Sequence, residues 1–119
     1  MSEQSPRLVV SFEDGLMVVE LAEKKLLDEV AISRIGEQVN ALAARGPNPR
    51  MVVDFSHVAQ MSSSALGMLI TLHKRIRERN GQLRLCGIQP GIYEVFVITR
   101  LNEIFTILPS RQEAMDSLR

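Results

Sequence analysis

Short aliphatic runs alternate with amphipathic helical patterns along most of this chain, and that alternation constrains the fold more than any other feature. Three runs rich in β-branched or aliphatic residues have the character of buried strands: residues 51–55, 83–86 and 104–108. Between the first two, apolar residues recur at helical spacing over residues 65–76. Strands that alternate with helices predict right-handed crossovers and a largely parallel sheet.

The N-terminal part has the pattern of a β-hairpin followed by a helix. Aliphatic runs at residues 8–12 and 16–21 flank Glu13-Asp14-Gly15. An Asp-Gly pair suits a type I′ turn, because both central residues of that turn have positive φ. A helical stripe of apolar residues follows at residues 32–42 and ends before Arg45-Gly46-Pro47.

Local signals leave residues 92–101 open between strand and helix. Their β-branched and aromatic content favours a strand, whereas their apolar spacing and the preceding Pro90 favour a helix. Further along the chain, Ser110 is expected to cap a final helix.

The predicted fold class is α/β: a mixed, mostly parallel β-sheet with an N-terminal hairpin and about four helices. We expect a single domain over residues 1–119, with a loose tail at residues 1–6.

Charge and cysteine content exclude several classes of function. Fourteen Lys and Arg balance fourteen Asp and Glu, whereas a grip on phosphate backbones or anionic lipid needs a cationic excess. No apolar run approaches the ~18 residues of a membrane span, and no signal sequence is recognisable. Cys86 is the only cysteine, so no intramolecular disulfide can form. We therefore expect a cytoplasmic protein without direct nucleic-acid binding, membrane span, metal or cofactor.

Three consecutive serines, Ser62-Ser63-Ser64, stand between a predicted strand and the longest predicted helix. One interpretation is structural, since a serine at this place caps the helix by accepting from amides of the first turn. The other is functional. A phosphate on an exposed serine there would be stabilised by free amides and the helix dipole, and it would add up to about two negative charges.

A small serine hydrolase that uses Ser63 and His57 is the enzyme alternative. Its nucleophile would need flanking glycines so that the backbone can turn tightly. Here the neighbours are serines and Ala65, and His57 has the character of a surface loop histidine. We therefore expect no enzymatic activity.

Residues 52–67 resemble the STAS domain of bacterial anti-sigma factor antagonists. In that family a hydrophobic strand ends in Asp, and a short loop then leads to Asp-Ser-Ser/Thr-Gly-Leu-Gly. The likeness continues through residues 81–90 and 101–107, and Leu27-Asp28 stands where the family has Leu-Asp before its first helix. This resemblance covers nearly the whole chain and implies a helix at residues 91–99.

The resemblance implies a protein that binds a partner anti-sigma factor, itself a serine kinase, and releases it on serine phosphorylation, thereby regulating sigma-factor-dependent transcription. By position the phosphorylated residue is Ser63, with Ser62 and Ser64 as alternatives. Two residues depart from the motif, since Ser62 replaces its Asp and Ala65 replaces its Gly.

The resemblance also implies a partner-binding surface on the serine loop and its surroundings. Its expected members are Asp28, Met61, Ser62, Ser64, Ala65, Leu66, Gly67, Gln89 and Pro90. Other roles known in the family are a non-switching, stressosome-like scaffold and a subunit of a lipid-transport complex. Self-association into a weak homo-oligomer is a further open alternative.

Overall fold

The computed structural model describes residues 8–119, so the predicted tail at residues 1–6 lies outside the described residues. The strands are β1 (Leu8–Glu13), β2 (Leu16–Leu21), β3 (Lys25–Leu26), β4 (Arg50–Asp54), β5 (Gln60–Met61), β6 (Gln82–Cys86) and β7 (Thr106–Leu108). The helices are α1 (Glu29–Ala43), α2 (Ser63–Glu78), α3 (Pro90–Ile98) and α4 (Arg111–Asp116), with a 3₁₀ turn at Leu101–Glu103.

The main sheet has five strands in the order β1-β2-β4-β6-β7. Strands β1 and β2 pair antiparallel, and all other neighbours in this sheet pair parallel. The hairpin turn has positive φ at both Asp14 (53°) and Gly15 (79°), as a type I′ turn requires. The predicted α/β fold class, a mixed and mostly parallel sheet with an N-terminal hairpin and about four helices, is therefore confirmed.

Each face of the main sheet is covered by its own helices. Side chains alternate between the two faces along a strand, so Val53 points towards α1 and α2 while Val52 points towards α4. The larger core contains Ile35 of α1 and Leu69 of α2, and the smaller core contains Met115 of α4. Helix α4 thus lies on the opposite face of the sheet from α1 and α2.

Most of the ambiguous segment, residues 92–101, lies in helix α3, as the resemblance implies. The alternative prediction of a strand, based on its composition, is wrong. Pro90 occupies the first turn, and Ile92 and Phe96, four residues apart, point into the core. The strand predicted at residues 104–108 pairs only over Thr106–Leu108. Ile104 and Phe105 instead donate their amides to the Leu101 carbonyl, so they belong to a turn.

Strands β3 and β5 are absent from the sequence interpretation, which placed a loop at residues 56–60. Lys25 pairs with Gln60 and Leu26 with Met61 in a separate two-stranded parallel sheet. Each of these strands has only two residues, which is too few to show the alternation of apolar and polar residues that marks a strand in a sequence. Their importance is positional, because each is followed directly by the start of a helix.

A test of the packing uses two glycines. A Cβ on Gly81 would overlap the carbonyl oxygen of Pro49, whereas a Cβ on Gly91 would meet no described atom within 4 Å. We expect Gly81→Ala to lower the free energy of unfolding by about 1–3 kcal/mol through overpacking. Gly91→Ala, in a helix, should raise it by up to about 1 kcal/mol. Urea denaturation measures both, and equal effects would contradict this packing.

Candidate functional site

The N-termini of α1 and α2 are held side by side by the β3-β5 sheet. Leu26 pairs with Met61, and the next amide, that of Ser62, donates to the Leu26 carbonyl at 2.9 Å. Asp28 is the N-cap of α1, and Ser62 is the N-cap of α2. Both helices therefore begin within three residues of one strand pair, and their first turns lie at the same edge of the molecule.

The two caps differ in strength. The Asp28 Oδ2 atom accepts from the amide of Ala31 at 2.8 Å, whereas the Ser62 Oγ atom accepts from the amide of Ala65 at 3.4 Å. Ser62 therefore caps the helix, as one of the two sequence interpretations expects, but through a long hydrogen bond. A neutral hydroxyl also gains less than a carboxylate from the positive end of the helix dipole.

The hydroxyls of Ser63 and Ser64 are open to solvent. Both residues are exposed in the first turn of α2, and their hydroxyls form no hydrogen bond within residues 8–119. Their amides also lack helical partners, since the first four N–H groups of any helix do. An added anionic group on either serine would therefore lie close to unused donors.

The structure brings together most of the residues expected in the partner-binding surface. Asp28, Met61, Ser62, Ser64 and Gly67 all have accessible surface around the paired helix starts. Three members contribute to the main core. Ala65 is fully buried beneath the first turn, and the half-buried Met61 and Leu66 pack against the same core.

Gln89 and Pro90 are exposed but lie beside the preceding loop. The Gln89 Nε2 atom donates to the Ser56 carbonyl at 3.5 Å. Gln89, together with Ser56, His57 and Lys24, lines an open groove of about 500 Å³ at the edge of the sheet. Gln89 is therefore adjacent to the loop that leads to Ser62-Ser63-Ser64, but within residues 8–119 it forms no hydrogen bond with these three serines.

Two exposed apolar side chains next to the caps are missing from the partner-binding surface predicted from the sequence. Leu27 is 48% exposed and Val30 is 60% exposed, on either side of Asp28. Large aliphatic side chains at such exposure are a marker of interaction sites when they cluster. Neither residue belongs to the buried stripe of α1, which contains Ile32, Ile35 and Val39. Apolar residues outside that stripe are the sequence pattern that could have indicated their exposure.

A charged cluster at the carboxyl ends of β2 and β4 was also missed. The Arg111 guanidinium of α4 binds Asp54 Oδ2 through Nε (3.0 Å) and Nη2 (2.8 Å), and Nη2 also lies 3.1 Å from Glu20 Oε1. Burial alone would lower the pKa of Arg111, but hydrogen bonds and opposite charges from Asp54 and Glu20 outweigh it and raise that pKa. A Cβ on Gly87 would lie 2.8 Å from Asp54 Oδ1, so this carboxylate fits closely against bare backbone.

His57 belongs to this charged cluster. Its Nε2 atom lies 2.6 Å from Glu20 Oε2. Within residues 8–119 no hydrogen bond joins His57 to Ser63, although a hydrolase would need one between its base and its nucleophile. The structure therefore does not assemble the pair on which the hydrolase alternative depends.

Cys86 ends β6 in the smaller core and is fully buried. Burial, reinforced by the negative charge of Asp54, raises the pKa of its thiol to about 12. Because the thiolate is the nucleophilic form, this cysteine is unreactive at neutral pH.

Residues 8–119 hold no cluster of three or more His, Cys, Asp or Glu side chains arranged to ligate a metal ion. None of the helices in this part of the chain has the length and apolar character needed to cross a membrane.

Comparison with known proteins identifies the family. A family model for the STAS domain matches residues 7–114. BtrV of Bordetella bronchiseptica, whose name describes it as a candidate anti-sigma factor antagonist, is 31% identical over 111 residues that cover 91% of this chain and 90% of BtrV. An anti-sigma F factor antagonist of Paenibacillus polymyxa is 22% identical over 104 residues, 87% of each chain.

Solved structures share the fold. An anti-sigma factor antagonist from Mycobacterium paratuberculosis superposes with a TM-score of 0.84 at 23% identity, over 97% of this chain and 95% of the other. The Bacillus cell fate determinant SpoIIAA in its phosphorylated form gives a TM-score of 0.73 at 19% identity, over 95% of this chain and all of SpoIIAA.

The weak cap of α2 leads to a stability prediction. Ser62→Asp places a carboxylate at the N-cap, where it adds a charge-assisted hydrogen bond and a favourable dipole interaction. We expect the free energy of unfolding to rise by about 0.3–1 kcal/mol in urea denaturation at neutral pH.

Ser110→Asp in α4 is the matched control. The Ser110 Oγ atom lies 3.2 Å from Glu113 Oε1 in addition to accepting from the Glu113 amide. A carboxylate there would face a like charge, so we expect no gain. Equal stabilisation by the two substitutions would contradict this account of the caps.

Proposed function

The chain belongs to the STAS domain family, and we propose from this premise that it is an anti-sigma factor antagonist switched by phosphorylation of Ser63. The unmodified protein binds a partner anti-sigma factor that is a serine kinase. Phosphoserine releases that partner, which then holds the sigma factor again. The observation that carries the proposal is the exposed Ser63 hydroxyl in the first turn of α2, which forms no hydrogen bond within residues 8–119. The β3-β5 pairing holds this turn next to the start of α1, where Leu27 and Val30 are exposed.

Relatives support this function at two levels. Those similar over nearly the whole chain carry the name of anti-sigma factor antagonists. The structural neighbour SpoIIAA has been obtained in a phosphorylated form, so the same fold accepts a phosphate in that protein. An antagonist of this kind would act in the cytoplasm.

The surface around Ser63 has the composition of a small protein interface. Leu27 and Val30 supply exposed apolar area, and Asp28 supplies a charge at its rim. Apolar anchors of this kind contribute most to affinity when a partner excludes water from them. A phosphate introduced among them would have to be desolvated on binding, next to the Asp28 carboxylate, so it would oppose the contact.

The substitution of the motif Asp by Ser62 is compatible with a phosphorylated Ser63. A carboxylate at the N-cap would repel a neighbouring phosphate, and the Ser62 hydroxyl does not. The amides of Ser63 and Ser64 and the helix dipole remain available to stabilise the added charge. The phosphorylated form is therefore accommodated locally, while the partner interface is disrupted.

The assignment of Ser63 is tested by intact-mass analysis. The protein is incubated with ATP and, in turn, with each purified anti-sigma factor kinase encoded in the source genome. We expect one kinase to add one phosphate to the wild type, Ser62→Ala and Ser64→Ala proteins, and none to Ser63→Ala. An equal mass gain in Ser63→Ala would exclude Ser63 as the acceptor. Binding with no mass gain for any variant would indicate a non-switching scaffold.

The binding surface is tested separately from phosphorylation. Val30→Asp should weaken the complex with that anti-sigma factor by about tenfold or more in calorimetric titration, because a charge replaces an apolar contact at the interface. Its free energy of unfolding should stay within about 0.5 kcal/mol of the wild type, as for most surface changes.

Val97→Asp is the control, since Val97 is an exposed valine (46%) on α3. It should leave the affinity unchanged. Equal loss of affinity in both variants would place the interface elsewhere.

A further inference from the structure

We call the exposed surface at the paired starts of α1 and α2 the serine surface; it comprises Leu27, Asp28, Val30 and Ser62-Ser63-Ser64. Two stretches of chain leave the main sheet together and meet again at this surface. One runs from β2 to β3, and the other runs from β4 to β5. Their parallel pairing is interrupted after Glu20 and Asp54, and it resumes at Lys25 and Gln60. The contacts that hold the ends of β2 and β4 together therefore also fix where these two stretches of chain begin.

Those strand ends carry like charges. Glu20 and Asp54 are direct partners in the register of β2 and β4, and like charges opposite each other destabilise a strand pair. Arg111 lies between them and contacts both carboxylates, at 2.8 Å from Asp54 Oδ2 and 3.1 Å from Glu20 Oε1. Asp54 is almost fully buried, which makes its countercharge more important.

Each carboxylate uses its second oxygen to hold the loop between β4 and β5. Asp54 Oδ1 accepts from the amide of Ser56 at 2.9 Å, and Glu20 Oε2 pairs with His57 Nε2 at 2.6 Å. Arg111 therefore orients the Asp54 and Glu20 carboxylates, and these two carboxylates in turn hold Ser56 and His57 in the first half of the loop.

The second half of the loop connects directly to the serines. The amides of Ala59 and Gln60 donate to the Lys24 carbonyl at 2.7 and 3.2 Å. The amide of Ser62 then donates to the Leu26 carbonyl. Contacts that alternate with short stretches of backbone thus connect Arg111, on the α4 side of the sheet, to the cap of α2 on the other side.

We propose that Arg111 is a positioning residue for the serine surface. Its guanidinium neutralises Glu20 and Asp54, and through them it holds residues 56–62 in the geometry that presents Ser63. Helix α4 thereby controls a surface that it does not itself form. The consequence for partner binding rests on the proposed function, whereas the effect on the loop does not.

Amide hydrogen exchange followed by NMR tests the inference directly. In Arg111→Gln we expect exchange at Ser56, Ala59, Gln60 and Ser62 to accelerate by about tenfold or more relative to the wild type, under conditions where both are fully folded. Exchange at Leu83 and Leu85 in β6 should change little.

Two further variants make the comparison specific. Arg84→Gln removes another arginine that contacts α4, since Arg84 Nε donates to Ser117 Oγ at 2.9 Å, and it should leave the loop amides unchanged. Arg111→Lys keeps the positive charge but loses the planar guanidinium, so its exchange rates should lie between those of the wild type and Arg111→Gln.

Uniform acceleration over all amides, or acceleration of the loop by Arg84→Gln as well, would overturn the inference, because only global stability would then have changed. Unchanged exchange rates of the loop amides in Arg111→Gln would also overturn it.

In the binding assay, Arg111→Gln should weaken the anti-sigma factor complex about fivefold or more, whereas Arg84→Gln should leave its affinity unchanged. If no anti-sigma factor binds the wild type, the proposed function fails, while the exchange comparison still decides the role of Arg111.

Discussion

The pairing of β3 with β5 is the interaction on which the candidate site depends. It comprises two residues on each strand, and the amide of Ser62 extends it by one hydrogen bond to the Leu26 carbonyl. Without it, the starts of α1 and α2 would be joined only through the main sheet and their own side-chain packing. With it, a charged cap, three serines and two exposed aliphatic side chains share one surface.

Much of the fold could be predicted from the sequence because each main element carries its own local signal. The hairpin has an Asp-Gly turn, α2 has a serine cap and an apolar stripe, and β4 and β6 are short aliphatic runs. Residues 92–101 were ambiguous since β-branched residues are compatible with both states. A helix forms there because Ile92 and Phe96 reach the core from one face of it.

The missed parts of the site depend on contacts between distant segments. Strands of two residues have no periodicity, and the role of Arg111 depends on Glu20 and Asp54 becoming neighbours only after the sheet has formed. Leu27 and Val30 were visible as apolar residues outside the stripe of α1, but their exposure is a property of the folded surface. Local patterns therefore located the serines, and tertiary structure supplied what surrounds them.

The buried state of Cys86 has a practical consequence. It is the only cysteine in the chain, and its thiol is enclosed and protonated at neutral pH. A cysteine introduced at an exposed position would therefore be the single reactive thiol, with no need to remove the native one. A maleimide fluorophore or spin label attached at such a position would report on the serine surface in an otherwise native protein.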